Sequence, residues 1–229
     1  MTRSTNTLQL DRLSKHFGSH IILDHITAHF SSGKIYGIVG HNGCGKTVLL
    51  KCICGLMPVD DGTVTLNMDR ITMNKKGKFG VIIETPGFLP QFSGYENLRM
   101  LARLSRDVSK NDIQSVLAMT GLTDVARKKV SKYSLGMRQR LGIVQAIMGK
   151  PQVLLLDEPL NGLDQSSVER TYALLQHMRD CGVIIILASH HKQDIDLLCD
   201  DVYEIENGQL LCVKGKEENA KRTFPLEVK

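Results

Sequence analysis

The sequence lacks any hydrophobic run long enough to cross a membrane. Its longest apolar stretch, Val183 to Ala188, has six residues, whereas a membrane-spanning helix needs roughly 20. The first ten residues are polar and contain no apolar core of the kind that a secretory signal peptide carries. The hydrophobic content of 42% among 229 residues is nevertheless that of an ordinary globular domain. We therefore expect a globular protein that resides in the cytosol.

The sequence also lacks cysteines at paired spacing, and its excess of positive over negative charge is small. Its six cysteines show no disulfide-like or metal-ligand spacing, and the two nearest each other, Cys52 and Cys54, fall on a predicted helix. The net charge of +5 comes from 29 lysines and arginines against 24 acidic residues, without a long basic run or interleaved aromatic residues. We expect reduced thiols and no nucleic-acid partner.

What the sequence does contain is a phosphate-binding pattern, GHNGCGKT, at residues 40–47. Lys34 to Val39 predicts a buried strand before it, and Val48 to Leu56 predicts an apolar helix after it, which is the context that the pattern requires. The Lys46 ammonium is predicted to contact the outer phosphates, and the Thr47 hydroxyl to ligate Mg²⁺. The predicted nucleotide-binding residues of this loop are Gly40, His41, Asn42, Gly43, Cys44, Gly45, Lys46, Thr47 and Val48.

The remaining patterns predict an α/β fold. Residues 7–39 and 62–85 contain strand-like apolar patches, which indicate a β layer that leads into the phosphate loop. From Tyr95 to Gly149 the apolar residues recur at helical spacing, which predicts a helical lobe inserted into the core. Two apolar strands, Val153 to Leu156 and Val183 to Ala188, then alternate with helices, as in a parallel sheet covered on both faces.

We predict a single domain over residues 1–229. Its core lobe would comprise residues 1–87 and 150–213, and its helical lobe about 88–149. A hairpin around Asn207 and Gly208 would end the core, and residues 214–229 would form a charged tail.

A second chemical pattern is the apolar strand Leu154 to Leu156, which delivers two carboxylates at its carboxyl end. Asp157 is predicted to hold Mg²⁺, directly or through water, and Glu158 to polarise an attacking water. Alone, a strand that ends in two acids fits a solvated strand end equally well. Together with the phosphate loop, the pattern favours nucleotide hydrolysis.

Three further side chains are ambiguous from the residues alone. His190 and His191 follow the strand that ends at Ala188, so either could hydrogen-bond a phosphate at the same sheet edge, or merely begin a helix. Phe17 precedes Gly18, and an aromatic side chain on such a loop can stack on a base, although a lone Phe is more often part of the core.

One segment resembles the signature segment, Walker B motif and D-loop of ATP-binding cassette (ABC) ATPases. It consists of Tyr133 to Met137 (YSLGM), followed by RQRLGIVQAIMGKPQVLLLDEPLNGLD. The resemblance extends from Phe17 to the hairpin near Asn207. The signature departs from its commonest form, because Leu, Gly and Gln are usual where this chain has Tyr133, Leu135 and Met137. The variant is similar to that of exporters for bacitracin and lantibiotic immunity and of related multidrug exporters.

The resemblance implies the ABC ATPase fold, a P-loop core with a mixed sheet, an antiparallel β layer and an inserted helical lobe. It also implies ATP and Mg²⁺ as cofactors. Phe17 would be the adenine-stacking aromatic residue and Asp164 would belong to the D-loop. Glu84 would fill the Q-loop position, where Gln is usual, and serve with Thr47 and Asp157 as a metal ligand.

The resemblance further implies which residues perform catalysis and how subunits assemble. Glu158, His190 as the switch histidine, and Lys46 would be catalytic. Two subunits, expected to be copies of this chain, would pack head to tail so that the signature of each contacts the ATP held by the other. The signature residues in that role are Ser134, Leu135, Gly136 and Met137.

Our leading hypothesis is therefore the Mg²⁺-dependent ATPase subunit of an ABC transporter, peripheral on the inner face of the cell membrane. It would power export of a peptide antibiotic, a lantibiotic or a drug. Separate membrane-spanning permease subunits would dock near Thr85 to Phe92 (TPGFLPQF), which could instead be a packed loop between the lobes.

Two other functions remain open from the sequence. A soluble ABC ATPase acting on ribosomes usually carries two cassettes, and one acting on DNA needs a long coiled coil for which residues 48–132 leave no room. A catalytically idle nucleotide-binding regulator is the other possibility. The intact Lys46, Asp157, Glu158 and His190 argue against it.

Overall fold

The computed structural model describes residues 5–73, 78–84, 86–104 and 108–215. The strands are β1 (Thr7–Phe17), β2 (His20–Ser31), β3 (Ile35–Val39), β4 (Asp61–Leu66), β5 (Asp69–Arg70), β6 (Phe79–Ile82), β7 (Val153–Asp157), β8 (Ile184–Ala188), β9 (Asp201–Glu206) and β10 (Gln209–Lys214). The helices are α1 (Lys46–Ile53), α2 (Gly94–Leu104), α3 (Lys110–Met119), α4 (Leu135–Ile147), α5 (Gln165–Asp180) and α6 (Lys192–Leu198), with short 3₁₀ turns at Thr123–Val125 and Val130–Lys132.

The central sheet has six strands in the order β10-β9-β3-β8-β7-β6. All neighbouring pairs are parallel except β10 and β9, so the sheet is mixed, as predicted. The four apolar residues of β7 alternate between two cores, with Val153 and Leu155 in one and Leu154 and Leu156 in the other. Such burial on both faces explains why the strand is a continuous apolar run in the sequence.

A second, antiparallel sheet has the order β2-β1-β4-β5 and packs on the same core as α1. β1 and β2 are much longer than the apolar patches in the sequence, and irregularities interrupt their pairing between Leu10 and His16. Arg12 and His25 adopt positive φ angles of 46° and 47° there. Such bulges break the alternation of apolar and polar residues on which strand prediction depends.

Helices α2, α3 and α4 lie between β6 and β7 in the chain and share a separate apolar cluster that includes Leu98, Ile113 and Leu141. The predicted helical segment is thus confirmed, whereas the exact lobe boundaries stay predictions. Lys214, the first residue of the predicted tail, pairs with Val202 in β10. Residues 216–229 lie outside the described part of the chain. Among the described residues, none of the helices combines the length and apolar character needed to span a bilayer.

The loop before α2 is held in shape by the buried side chain of Asn97. Its Oδ1 accepts a hydrogen bond from the backbone of Leu89 at 2.8 Å, and its Nδ2 donates to the carbonyls of Leu89 at 3.1 Å and Ser93 at 2.9 Å. The side chain thus replaces backbone pairing that an irregular loop cannot supply itself.

Substituting Asn97 by Ala should lower the free energy of unfolding by about 1–3 kcal/mol, because it removes the three hydrogen bonds by which this buried side chain fixes the loop. Urea unfolding followed by circular dichroism measures this loss. Asn111→Ala, on the exposed side of α3, is the matched control and should change stability by no more than about 0.5 kcal/mol. Equal losses for the two variants would contradict a clamping role for Asn97.

Candidate active site

A cleft of about 520 Å³ opens at the carboxyl edge of the central sheet. It is bounded by the phosphate loop after β3, the end of β7 and the beginning of α4. Residues that the sequence singled out supply most of its lining: Asn42, Gly43, Gly45, Lys46, Thr47, Val48, Glu84, Leu135, Asp157 and Glu158. Ile22, Gln139 and Asn161 complete it and were not predicted.

The phosphate loop takes a backbone path that favours glycine. Gly43 and Gly45 have φ angles of 82° and 108°, and Gly45, the residue before α1, offers no side chain to cap the helix. The amides of the first turn of α1 are therefore available to an anion. The Lys46 ammonium donates to the carbonyl oxygens of Gly40 at 2.7 Å and His41 at 3.1 Å. The phosphate loop thus wraps around the ammonium group of Lys46.

The other loop residues differ in what they contact. His41 is exposed and its Nδ1 lies 3.0 Å from the Asn42 carbonyl oxygen. Cys44 and Val48 pack against the apolar core below the loop. A Cβ on Gly40 would lie 2.6 Å from the Cys44 sulfur, so the loop needs glycine at this position for close packing.

Two side chains whose oxygen atoms could ligate a metal ion meet below the phosphate loop. The Thr47 hydroxyl donates to Asp157 Oδ2 at 2.6 Å. Burial raises the pKa of the Asp157 carboxyl, and the neighbouring charge of Glu158 raises it further. A partly buried carboxylate beside a hydroxyl offers oxygen ligands that suit a hard cation such as Mg²⁺, so these residues fit the predicted ion.

The structure distinguishes between the two histidines. His190 Nδ1 donates to Glu158 Oε1 at 2.6 Å, and the His190 amide donates to the same oxygen at 3.0 Å. His191 instead lies 3.1 Å, through Nε2, from Asn161 Oδ1. Its ring is also close to that of His190, with 4.0 Å between the centroids. His190 is therefore the histidine that contacts Glu158.

Glu84 has a partner that the sequence analysis missed. Its Oε1 lies 2.5 Å from Lys51 Nζ, with 66% of the Glu84 side chain exposed. Lys51 neutralises the charge that Glu84 brings to the edge of the cleft. The spacing of Lys51 four residues after Thr47, and so on the same face of α1, is the signal that could have identified it.

The predicted signature residues lie at the start of α4. The Ser134 hydroxyl caps the helix by accepting from the Met137 amide at 3.2 Å, while the Met137 side chain packs in the helical cluster. The Leu135 side chain is 63% exposed. Contacts of these residues with a second subunit stay a prediction.

The segment after Glu158 packs against this helix start. A Cβ added to Gly136 would lie 2.9 Å from the Gly162 carbonyl oxygen, and one added to Gly162 would lie 2.6 Å from the Leu135 side chain. Asp164 caps α5 by accepting from the Ser167 amide at 2.8 Å. Hydrogen bonds from Ser167 and the neighbouring Ser166 hold the pKa of Asp164 below its usual value.

Phe17 lies outside the lining of the cleft, as do Gly40, His41 and Cys44 of the predicted nucleotide-binding residues. It ends β1 with 48% of its surface exposed, so it is not a core residue. Lys15 Nζ lies 5.6 Å from the centre of its ring. The adenine-stacking role of Phe17 stays a prediction.

A family model described as "ABC transporter" matches residues 23–161. The chain belongs to the ABC transporter family. It is 39% identical to the uncharacterized ABC transporter ATP-binding protein YybJ of Bacillus subtilis (strain 168), over 89% of this chain and 94% of that protein. It is 39% identical to the bacitracin transport ATP-binding protein BcrA of Enterococcus faecalis (89% and 68% covered). It is 30% identical to the lantibiotic transport ATP-binding protein SrtF of Streptococcus pyogenes (96% and 97% covered).

Solved structures agree with this assignment. An ATP-binding subunit of an ABC transporter superposes with a TM-score of 0.81 at 25% identity, covering 89% of this chain and 87% of that one. A nucleotide-free ATP-binding cassette with 20% identity and a TM-score of 0.77, covering 93% and 92%, shows the same fold. The predicted ABC ATPase fold and the prediction of an ATP-hydrolysing transporter subunit are confirmed.

Proposed function

We propose that the cleft binds ATP together with Mg²⁺ and that hydrolysis there powers export of a bacitracin-like or lantibiotic-like peptide through separate membrane subunits. The observation that carries the catalytic part is the meeting of Lys46, Thr47, Asp157 and Glu158 in one cleft. The names of BcrA and SrtF, which concern bacitracin and lantibiotic transport, support the substrate class.

The proposed chemistry follows from the placement of each group. The free amides of the phosphate loop and the Lys46 ammonium would bind the outer phosphates. Thr47, Asp157 and Glu84 would hold Mg²⁺, which, when bound, supplies charge neutralisation at the phosphates. Glu158 would accept a proton from the attacking water, while His190 fixes the orientation of its carboxylate through the 2.6 Å hydrogen bond.

Assembly with a second copy, head to tail, would complete the site. Ser134 and the amides at the start of α4 would meet the phosphates of the partner's ATP, as helix N-termini do. The large exposed fraction of Leu135, an apolar residue at the cleft, supports a covering surface there. By capping α5, Asp164 would hold the segment after Glu158 in position for this contact.

The loop at residues 86–92 would receive the membrane subunit and so hold the chain against the inner face of the membrane. Leu89 and Phe92 expose 45% and 37% of their surfaces while Asn97 fixes the backbone around them. A rigid loop with exposed apolar side chains suits a docking surface. Thr85, which the sequence analysis included, lies outside the described residues.

Replacing Lys46 by Ala should weaken ATP binding by about 10- to 100-fold, the loss expected for hydrogen bonds to a charged group. Fluorescence titration with a labelled ATP analogue measures the affinity. Lys110→Ala, on the exposed side of α3, should leave it unchanged. Equal affinity of the Lys46 variant and the wild type would refute the phosphate assignment.

Replacing Glu158 by Gln should leave ATP binding intact and slow hydrolysis by about 100-fold or more, because the amide cannot accept the proton. The variant should then accumulate as an ATP-bound dimer. Phosphate release and size-exclusion chromatography over a range of protein concentrations test the two statements, with Glu169→Gln on the exposed side of α5 as the control. An ATP-loaded variant that elutes as a monomer throughout would count against the head-to-tail dimer.

A Mg²⁺ titration tests Glu84 together with Lys51. Glu84→Gln should need more free Mg²⁺ for half-maximal ATPase rate, because an amide is a weaker ligand than a carboxylate. Lys51→Gln should need severalfold less free Mg²⁺, because Glu84 then has no salt bridge to break before it binds the ion. The size of this effect is that of an exposed ion pair. With Glu84 already replaced, the Lys51 substitution should have no further effect. Coincident curves for all four proteins would place Glu84 away from the metal.

A further inference from the structure

At the edge of the cleft, His190 and His191 lie beside Glu158, and His191 has no part in the proposed ATPase mechanism. Each of the three can offer one ligand atom, and these atoms lie within 4.8 Å of one another. Around a tetrahedral zinc ion, two ligand atoms at the usual bond lengths lie roughly 3.4 Å apart. Small side-chain rotations would therefore bring the three atoms onto one ion.

We propose that these three residues form a binding site for Zn²⁺ or a similar transition-metal ion, and that such an ion inhibits the ATPase. Two imidazoles and a carboxylate are a donor set that zinc favours and that Mg²⁺, which prefers oxygen ligands and water, does not. His190 and Glu158 retain 49% and 23% side-chain exposure, so an ion can reach them from solvent.

Neighbouring hydrogen bonds hold two of the three ligands, Glu158 and His191, in place. The Ser189 hydroxyl donates to Glu158 Oε2 at 3.3 Å and accepts from the His191 amide at 3.1 Å, so it links two of them. Asn161 Oδ1 lies 3.1 Å from His191 Nε2 and orients that ring. Side chains that orient ligands in this way raise metal affinity.

Inhibition follows from what the ion would occupy. A Glu158 carboxylate that is bound to zinc cannot accept a proton from water, and the hydrogen bond from His190 Nδ1 must break before that nitrogen can bind the ion. The phosphate loop is not involved. Zinc should therefore lower kcat and leave the affinity for ATP unchanged. This effect on rate rests on the proposed role of Glu158, whereas the binding of zinc does not.

His191→Asn is the informative variant. His191 lies at the N-cap of α6, where Asn is a favoured residue, so the helix should keep its start. His177→Asn is the matched control, because His177 Nε2 lies 3.8 Å from Cys181 Sγ and this pair at the carboxyl end of α5 is another place where zinc could bind.

Zinc binding is measured by calorimetry on the nucleotide-free protein and by the visible absorption of Co²⁺ as a spectroscopic substitute. His191→Asn should weaken binding at this site by at least about tenfold and remove the Co²⁺ bands of a histidine-containing site. His177→Asn should retain both signals. Unchanged affinity and absorption in the His191 variant would overturn the proposed site.

The second measurement is ATPase rate against Zn²⁺ concentration in excess Mg-ATP. The wild type and the His177 variant should lose kcat at the same zinc concentration, and the His191 variant should keep its basal rate and need at least about tenfold more zinc. Inhibition of the His191 variant at the wild-type concentration would refute the inhibitory site. A wild type without ATPase activity would instead refute the proposed function, while calorimetry and Co²⁺ absorption would still decide the metal site.

Discussion

The candidate site depends on the register in which β3, β8 and β7 pair. Ala188 is the partner of Ile38 on one side and of Asp157 on the other. The three parallel strands therefore end level, and the loops that follow them meet at one edge. A slip of one residue in β7 would turn Asp157 to the opposite face of the sheet and away from Thr47. The apolar residues of β7 that alternate between two cores oppose such a slip, because it would exchange every buried contact.

This convergence brings several acids together, and the chain offsets their repulsion in different ways. Asp157 accepts a hydrogen bond from the Thr47 hydroxyl. Glu158 accepts from His190, and Glu84 pairs with Lys51. Burial raises the pKa of the Asp157 carboxyl, although the hydrogen bond from Thr47 acts in the opposite direction. A bound cation would act most strongly on that residue, because burial weakens its contact with water.

Motifs that depend on local backbone geometry could be predicted from the sequence, and contacts between distant segments could not. The phosphate loop and the carboxylates after β7 were predictable because each is a strand followed by a turn of fixed composition. The choice between His190 and His191 depends on where the chain turns after β8 relative to Glu158. The salt bridge between Lys51 and Glu84 likewise joins segments that lie 33 positions apart. The long bulged strands β1 and β2 were underestimated because positive φ angles interrupt their periodicity.

The signature residues at the start of α4 contact the segment after Glu158. Leu135 stands where Gly is usual in the signature, and its side chain lies against Gly162, where a Cβ would come within 2.6 Å. A glycine in one segment thus makes room for the leucine in the other.

The Gln139 side chain, one turn further along α4, donates to the Glu158 carbonyl oxygen at 3.3 Å. The start of α4 therefore contacts the segment that follows β7 at both Glu158 and Gly162. A displacement of α4, such as closure on a second subunit would cause, must shift the backbone of Glu158 or break these contacts. Leu135 and Gln139 thereby connect α4 to the segment that begins with the proposed catalytic base, within a single chain.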